Sequence, residues 1–123
     1  MTRIKRLTKA EEEIMQIIWR LEKCTIKQIR EDIGGHPLPP HSSISTIVRI
    51  LEQKNFVAHE KASGRTFNYF PIVQKSEYSK QTLHKFVNEY FEGSMDRLVS
   101  FMVKENDLSI SELNKLLDKL DEE

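Results

Sequence analysis

Apolar positions recur at helical spacing over the first fifty residues, give way to strand-like runs, and then return to helical spacing. Ala10, Ile14, Ile17, Ile18 and Leu21 mark one face of a first helix, because residues three and four apart share a side of the helical turn. Met15 and Trp19 widen that face, so this helix is expected to be covered on more than one side. Thr8 precedes it with Glu11 three residues on, a spacing at which hydroxyl and carboxylate each satisfy an amide that the helix start leaves free. The same signature returns at Thr25 and Gln28, ahead of a short helix facing inward with Ile26, Ile29 and Ile33. Gly34 and Gly35 end it, since glycine accepts the left-handed exit conformation. Residues 36–40 hold three prolines and must be extended. A third helix follows, capped by Ser42 or Ser43, with Ile44, Ile47, Val48 and Leu51 as its buried stripe and Lys54 and Asn55 at its end.

Two β-favouring runs, residues 56–60 and 66–70, flank a loop at 61–65 that contains Gly64, which predicts a hairpin. Pro71 breaks the second run. Ser76 then caps a fourth helix lined by Leu83, Phe86, Val87, Tyr90 and Phe91. Gly93 and Ser94 interrupt it, and a fifth helix carries Met95, Leu98, Val99 and Met102 before Asn106 and Asp107 close it. Residues 109–112 form another capping box, opening a last helix with Leu113, Leu116, Leu117 and Leu120 on one side. The expected fold is mainly α with a small β-hairpin: a winged helix-turn-helix over residues 1–73 and a three-helix C-terminal dimerisation domain over residues 74–123.

Pairing is expected for a physical reason. Fifty residues in three helices fall below the size at which one core usually suffices. Their stripes are nevertheless rich in large apolar side chains, each worth roughly 1.5–3 kcal/mol when buried. Phe86, Tyr90, Phe91, Leu98, Met102, Leu113, Leu116, Leu117 and Leu120 are therefore assigned to a homodimer interface between two-fold-related copies. The competing arrangement folds these helices back onto the first domain. The first domain's own apolar faces already satisfy one another, which favours the dimer.

Charge sharpens this division. The 123 residues have a formal net charge of zero, yet residues 1–73 carry 12 basic and eight acidic side chains. The first part is thus +4 and the remainder −4, a polarity that suits a polyanion partner for the first part or arises from ordinary surface fluctuation. The third helix adds chemistry to that prompt. Ser42, Ser43, Ser45, Thr46 and Arg49 point away from its buried stripe, giving a face of short hydroxyls with one guanidinium. Small side chains let a helix backbone approach a major groove, hydroxyls bond phosphates or base edges, and arginine reaches guanine or phosphate. A merely solvated face would normally be filled by Glu and Lys. Lys61 and Arg65, placed at the hairpin tip, would lie against neighbouring phosphates.

The chain at this point resembles the BlaI/MecI family, winged-helix regulators of the penicillinase-repressor type. LTKAEEEIMQIIW (residues 7–19), SISTIVRILEQKNFV (43–57) and GRTFNYFP (64–71) carry the resemblance; SEY (76–78) and LVSFMVKENDLS (98–109) extend it over nearly the whole chain. It implies a homodimeric, sequence-specific repressor that binds a palindromic double-stranded DNA operator through the third helix and wing. It places Ser43 and Thr46 on recognition-helix residues that the family uses at DNA, and Arg65 on the wing arginine. Three departures are visible. Ile50 stands where family members usually carry an arginine, with Arg49 beside it, so operator preference does not carry over. Antibiotic-responsive members are inactivated by a regulatory protease that cuts an Asn-Phe bond in the dimerisation domain, and here the aligned residues are Phe101 and Met102. Copper-responsive members end in a cysteine cluster, which the terminal LDKLDEE lacks.

The remaining chemistry is sparse. No Gly-rich phosphate loop, HExxH motif or nucleophile elbow occurs, so neither catalytic residues nor a cofactor is expected. His36, His41, His59 and His84 are scattered and read as surface or linker side chains rather than metal ligands. Cys24 reads as a small buried hydrophobe. With one cysteine, no apolar run near the ~18–20 residues of a membrane span and no apolar segment after the basic start, a cytoplasmic protein without disulfides or membrane insertion is expected. A protein-interaction module built on the winged helix is the alternative function. It should expose aromatics or methionines on the third helix, where this chain has hydroxyls.

Overall fold

Local capping sets the first two helices. In α1 (Lys9–Leu21), the Thr8 hydroxyl accepts from the Glu11 amide at 3.3 Å and the Thr8 amide donates to the Glu11 carboxylate at 3.0 Å. Thr25 and Gln28 repeat this reciprocal cap at 3.2 and 2.8 Å to open α2 (Ile26–Ile33). Gly34, at φ 75°, ends α2. The computed structural model describes residues 4–106 together with Ser111 and Lys115.

α3 (His41–Gln53) starts earlier than its serines suggest. Pro40 is the N-cap, no side chain caps the helix, and Ser42 and Ser43 lie inside the first turn. Proline's fixed φ places the chain at the helix entrance without a hydroxyl cap. Asn55, at φ 64°, turns the chain out of the helix region. β1 (Val57–Ser63) and β2 (Thr66–Pro71) form an antiparallel hairpin with His59 opposite Tyr69 and Lys61 opposite Phe67. The first strand runs on through Lys61, so Lys61 sits within the ladder rather than at the tip; Gly64, at φ 53°, and Arg65 make the turn. Pro71 closes β2, opposite Val57, instead of breaking it. Cys24 adds a single bridge to β2, since its amide and carbonyl exchange bonds with Tyr69 at 3.0 and 2.7 Å.

α1, α2 and α3 pack on one another and on the hairpin. Met15, Ile18, Ile29, Val48, Leu51, Phe56 and Val57 form the buried centre. Three expected face positions are uncovered: Ala10 and Leu21, near the ends of α1, and Ile33, the last residue of α2, are exposed. Each sits at a helix terminus, where a packing neighbour no longer runs alongside. Three helices and a hairpin in this order make a winged helix-turn-helix.

The chain divides into two compact units after Gln74. In the second, α4 (Lys75–Tyr90) begins before Ser76, which therefore lies in the helix rather than capping it. Gly93, at φ 79°, breaks the path, and the Ser94 hydroxyl accepts from the Arg97 amide at 3.2 Å to open α5 (Met95–Asn106). Tyr78, Val87 and Leu98 are buried. The last helix expected from residue 109, with Leu113, Leu116, Leu117 and Leu120, lies outside the described residues. No helix among the described residues is long and apolar enough to cross a membrane.

Candidate nucleic-acid interface

α3 is fixed from behind by Ile44, Val48 and Leu51, which enter the core and turn the opposite face outward. Ser42, Ser43, Thr46 and Arg49 are exposed there, and Ser45 is half-buried. The missing side-chain cap has a consequence. Ser43 and Ile44 donate their amides to the Pro40 carbonyl at 3.2 and 3.3 Å, while the first two amides of the helix keep no side-chain acceptor. Those N–H groups stand at the positive end of the helix dipole, which suits a phosphate oxygen.

One turn on, the Thr46 hydroxyl donates to the Ser42 carbonyl at 2.8 Å. Its proton is thus engaged, and the oxygen faces outward as an acceptor, the complement of the amino groups that adenine and cytosine present in a major groove. Ser42, Ser43 and Ser45 have no side-chain hydrogen bond among the described residues, so their hydroxyls serve either role. Arg49 is exposed and its guanidinium has no hydrogen bond or ion pair among the described residues. Lys61 and Arg65 are exposed on the wing, Lys61 in the ladder and Arg65 at the turn. The fold thus places α3 and the wing in one unit, with all seven expected DNA-facing residues outside its buried core.

Further residues join this surface without a signal in the chain's periodicity. The Glu52 carboxylate, at the end of α3, accepts from His59 Nδ1 of β1 at 2.6 Å. The His59 ring stands edge-on to Phe67 at 4.9 Å and tilted against Tyr69 at 5.7 Å. Burial pushes the Tyr69 phenol above its ordinary pKa; the Glu52 charge adds to this and the Arg49 charge opposes it. On the other side of the hairpin, Lys23 pairs with Glu60 at 2.5 Å and lies over the Phe70 ring at 5.9 Å. These links depend on the hairpin register, which sets His59 against Tyr69 and Glu60 against Asn68.

The same helix end is tied to α1. Lys54 Nζ donates to Glu11 at 2.5 Å, with Glu11 only 6% exposed. Burial raises the Glu11 carboxyl, but the Lys54 hydrogen bond, the Thr8 amide, the Lys54 charge and the Thr8 hydroxyl outweigh it and hold the carboxyl below its ordinary value. Arg30 Nε donates to the Pro39 carbonyl at 2.7 Å, anchoring the approach to α3. Burial, with Asp32 nearby, pushes the Cys24 thiol up to about 11. Among the described residues, no group of three or more His, Cys, Asp or Glu side chains is placed to hold a metal ion.

In the second unit, Phe86 and Tyr90 have ring centroids 5.0 Å apart, Phe86 and Phe91 5.8 Å, and Phe91 and Phe101 5.5 Å. This chain of rings is open to solvent, with Phe86 45%, Tyr90 69% and Phe101 49% exposed. Phe91 and Met102 are half-buried, and Leu98 turns inward.

Residues 7–122 match the family described as penicillinase repressor. The chain is 27% identical over 122 residues to the penicillinase repressor of Bacillus licheniformis, covering 99% of this chain and 94% of that protein. It is 30% identical over 116 residues to the methicillin resistance regulatory protein MecI of Staphylococcus aureus (strain N315), covering 92% and 94%. Among solved structures, it resembles the monomeric form of Bacillus licheniformis BlaI in complex with the blaP half-operator. That likeness has a TM-score of 0.50 and 26% identity, and covers 63% of this chain and 94% of the other.

Proposed function

From the premise that this chain belongs to the penicillinase-repressor family, we propose that it is a DNA-binding transcriptional repressor that reads its operator with α3 and braces itself with the wing. The family is one of repressors, not enzymes. The observation that carries the reading is the outward face of α3: two amides without a side-chain cap, four hydroxyls and an arginine that has no ion pair among the described residues. Ser42 and Ser43, with the helix amides, engage phosphate at the groove edge. Ser45, Thr46 and Arg49 face the groove, and Lys61 and Arg65 engage flanking phosphates.

Two copies pair through the second unit and present two α3 helices to a palindromic operator in the cytoplasm. The exposed rings of Phe86, Tyr90 and Phe101 support this pairing, because leaving them wet forfeits most of their burial energy. A regulatory protease acts on the same unit. The bond between Phe101 and Met102 lies inside α5, so cleavage there requires that helix to unwind locally first.

The test is binding to a duplex selected by the protein from a random 40-base-pair library. Affinity should fall steeply between 50 and 200 mM salt, with a log–log slope of about −0.9 per phosphate neutralised. The footprint should show two-fold-related half-sites. A salt-insensitive affinity, or failure to enrich any duplex, overturns the reading.

A further inference from the structure

Arg49 and Glu52 are three residues apart on α3, a spacing at which opposite charges on a helix surface are neighbours and attract. Left to each other, they would form an exposed ion pair, and the guanidinium would have to leave it before meeting DNA. The structure shows another arrangement. Glu52 accepts from His59 Nδ1 at 2.6 Å, and among the described residues Arg49 has no ion pair. His59 is well placed for this. It sits opposite Tyr69 in the hairpin ladder, and the Phe67 and Tyr69 rings flank its imidazole. The Tyr69 phenol responds to both charges, Glu52 raising its pKa and Arg49 opposing that.

We propose that His59 is a positioning residue for DNA recognition: by drawing Glu52 onto the wing, it keeps Arg49 unpaired and available to the operator. This inference rests on the reading of Arg49 as a DNA contact.

The experiment measures filter binding of the full chain to its selected duplex, with thermal unfolding by circular dichroism confirming that each variant is folded. Arg49→Ala tests the underlying contact. His59→Ala should weaken binding by about two- to fivefold per half-site, the range expected if an exposed ion pair must be broken first. His59→Asn keeps an N–H donor at the Nδ1 position and should stay within about twofold of the native chain. Glu52→Gln should change little by itself but restore binding when combined with His59→Ala. In an Arg49→Ala background, His59→Ala should have no further effect.

If Arg49→Ala weakens binding while His59→Ala does not, the inference fails and the contact reading survives. A His59→Ala loss that Glu52→Gln does not relieve, or that recurs in full without Arg49, overturns the proposed route. An Arg49→Ala variant that binds like the native chain overturns the contact reading and the inference together.

Discussion

Replacing Lys54 with methionine removes the cation from a pair that joins the start of α1 to the end of α3. Removing one partner of a fully buried pair typically costs roughly 3–5 kcal/mol, because the other charge is left desolvated. Here the side chains of Lys54 and Glu11 keep 23% and 9% of their exposure, so water relieves part of that penalty. The expected loss is about 2–3 kcal/mol at pH 7. Its pH dependence has a definite sign. In the native chain the Glu11 carboxyl is held below its ordinary value of 4.5 despite the opposing effect of burial, so the pair's stabilisation is complete above that value. It is lost as pH falls through the lower, folded-state value. In the Lys54→Met variant, burial is opposed by Thr8 alone and the carboxyl rises from its native position; the variant then takes up its proton at higher pH than the native chain and gains relative stability as pH falls. Urea unfolding followed by circular dichroism at pH 7, 5.5 and 4 should therefore show a gap between the two proteins that narrows with acidification. Adding Glu11→Gln to the variant should recover part of the loss at pH 7. A gap below about 0.5 kcal/mol at pH 7, no larger than an ordinary surface substitution, or one that does not vary with pH, would refute the argument.

Other expectations follow from the same surfaces. Arg49→Ala should weaken binding to the selected duplex by about 5- to 150-fold per half-site, the range for a lost bidentate base contact, and binding to a shuffled duplex much less; equal losses would make Arg49 a phosphate contact. Cys24, buried and with its thiol pushed up to about 11, should resist a disulfide-exchange reagent at pH 8 until the protein is unfolded in urea. Prompt reaction of the folded protein would contradict its burial. Phe86→Glu combined with Tyr90→Glu should lower the sedimenting mass from that of a dimer to that of a single chain, and an unchanged mass would remove these rings from the interface.

Much of the winged-helix unit was legible because its signals are local. The cap at Thr8 involves residues three apart and is the same in any fold that contains α1, and Thr25 and Gly34 mark α2 in the same way. The entrance to α3 departs from its sequence signal because two serines after a proline resemble a cap, while the proline itself sets the backbone. The extra length of β1 had no hydrophobic signature: beyond Ala58 every residue is exposed, and only cross-strand pairing makes those positions a strand. The bridge at Cys24 joins residues 45 apart and is purely tertiary. The same holds for the interface. Its hydroxyl face could be read from helical spacing, but the bond from His59 to Glu52 needed the register of the hairpin, so a histidine that looked like an ordinary surface side chain turned out to be committed to α3.

The chain has one tryptophan, and its indole Nε1 donates to the carbonyl of Val73 at 2.9 Å, one residue before the first unit ends. The molecule therefore carries an intrinsic fluorophore at the point where the chain leaves its winged-helix unit. Any event that lifts this exit segment from the first unit breaks the indole's hydrogen bond and alters its emission. Operator binding, and the pairing or cleavage proposed for the second unit, can thus each be tested for an effect on this junction in unlabelled protein, at the wavelength of a single side chain.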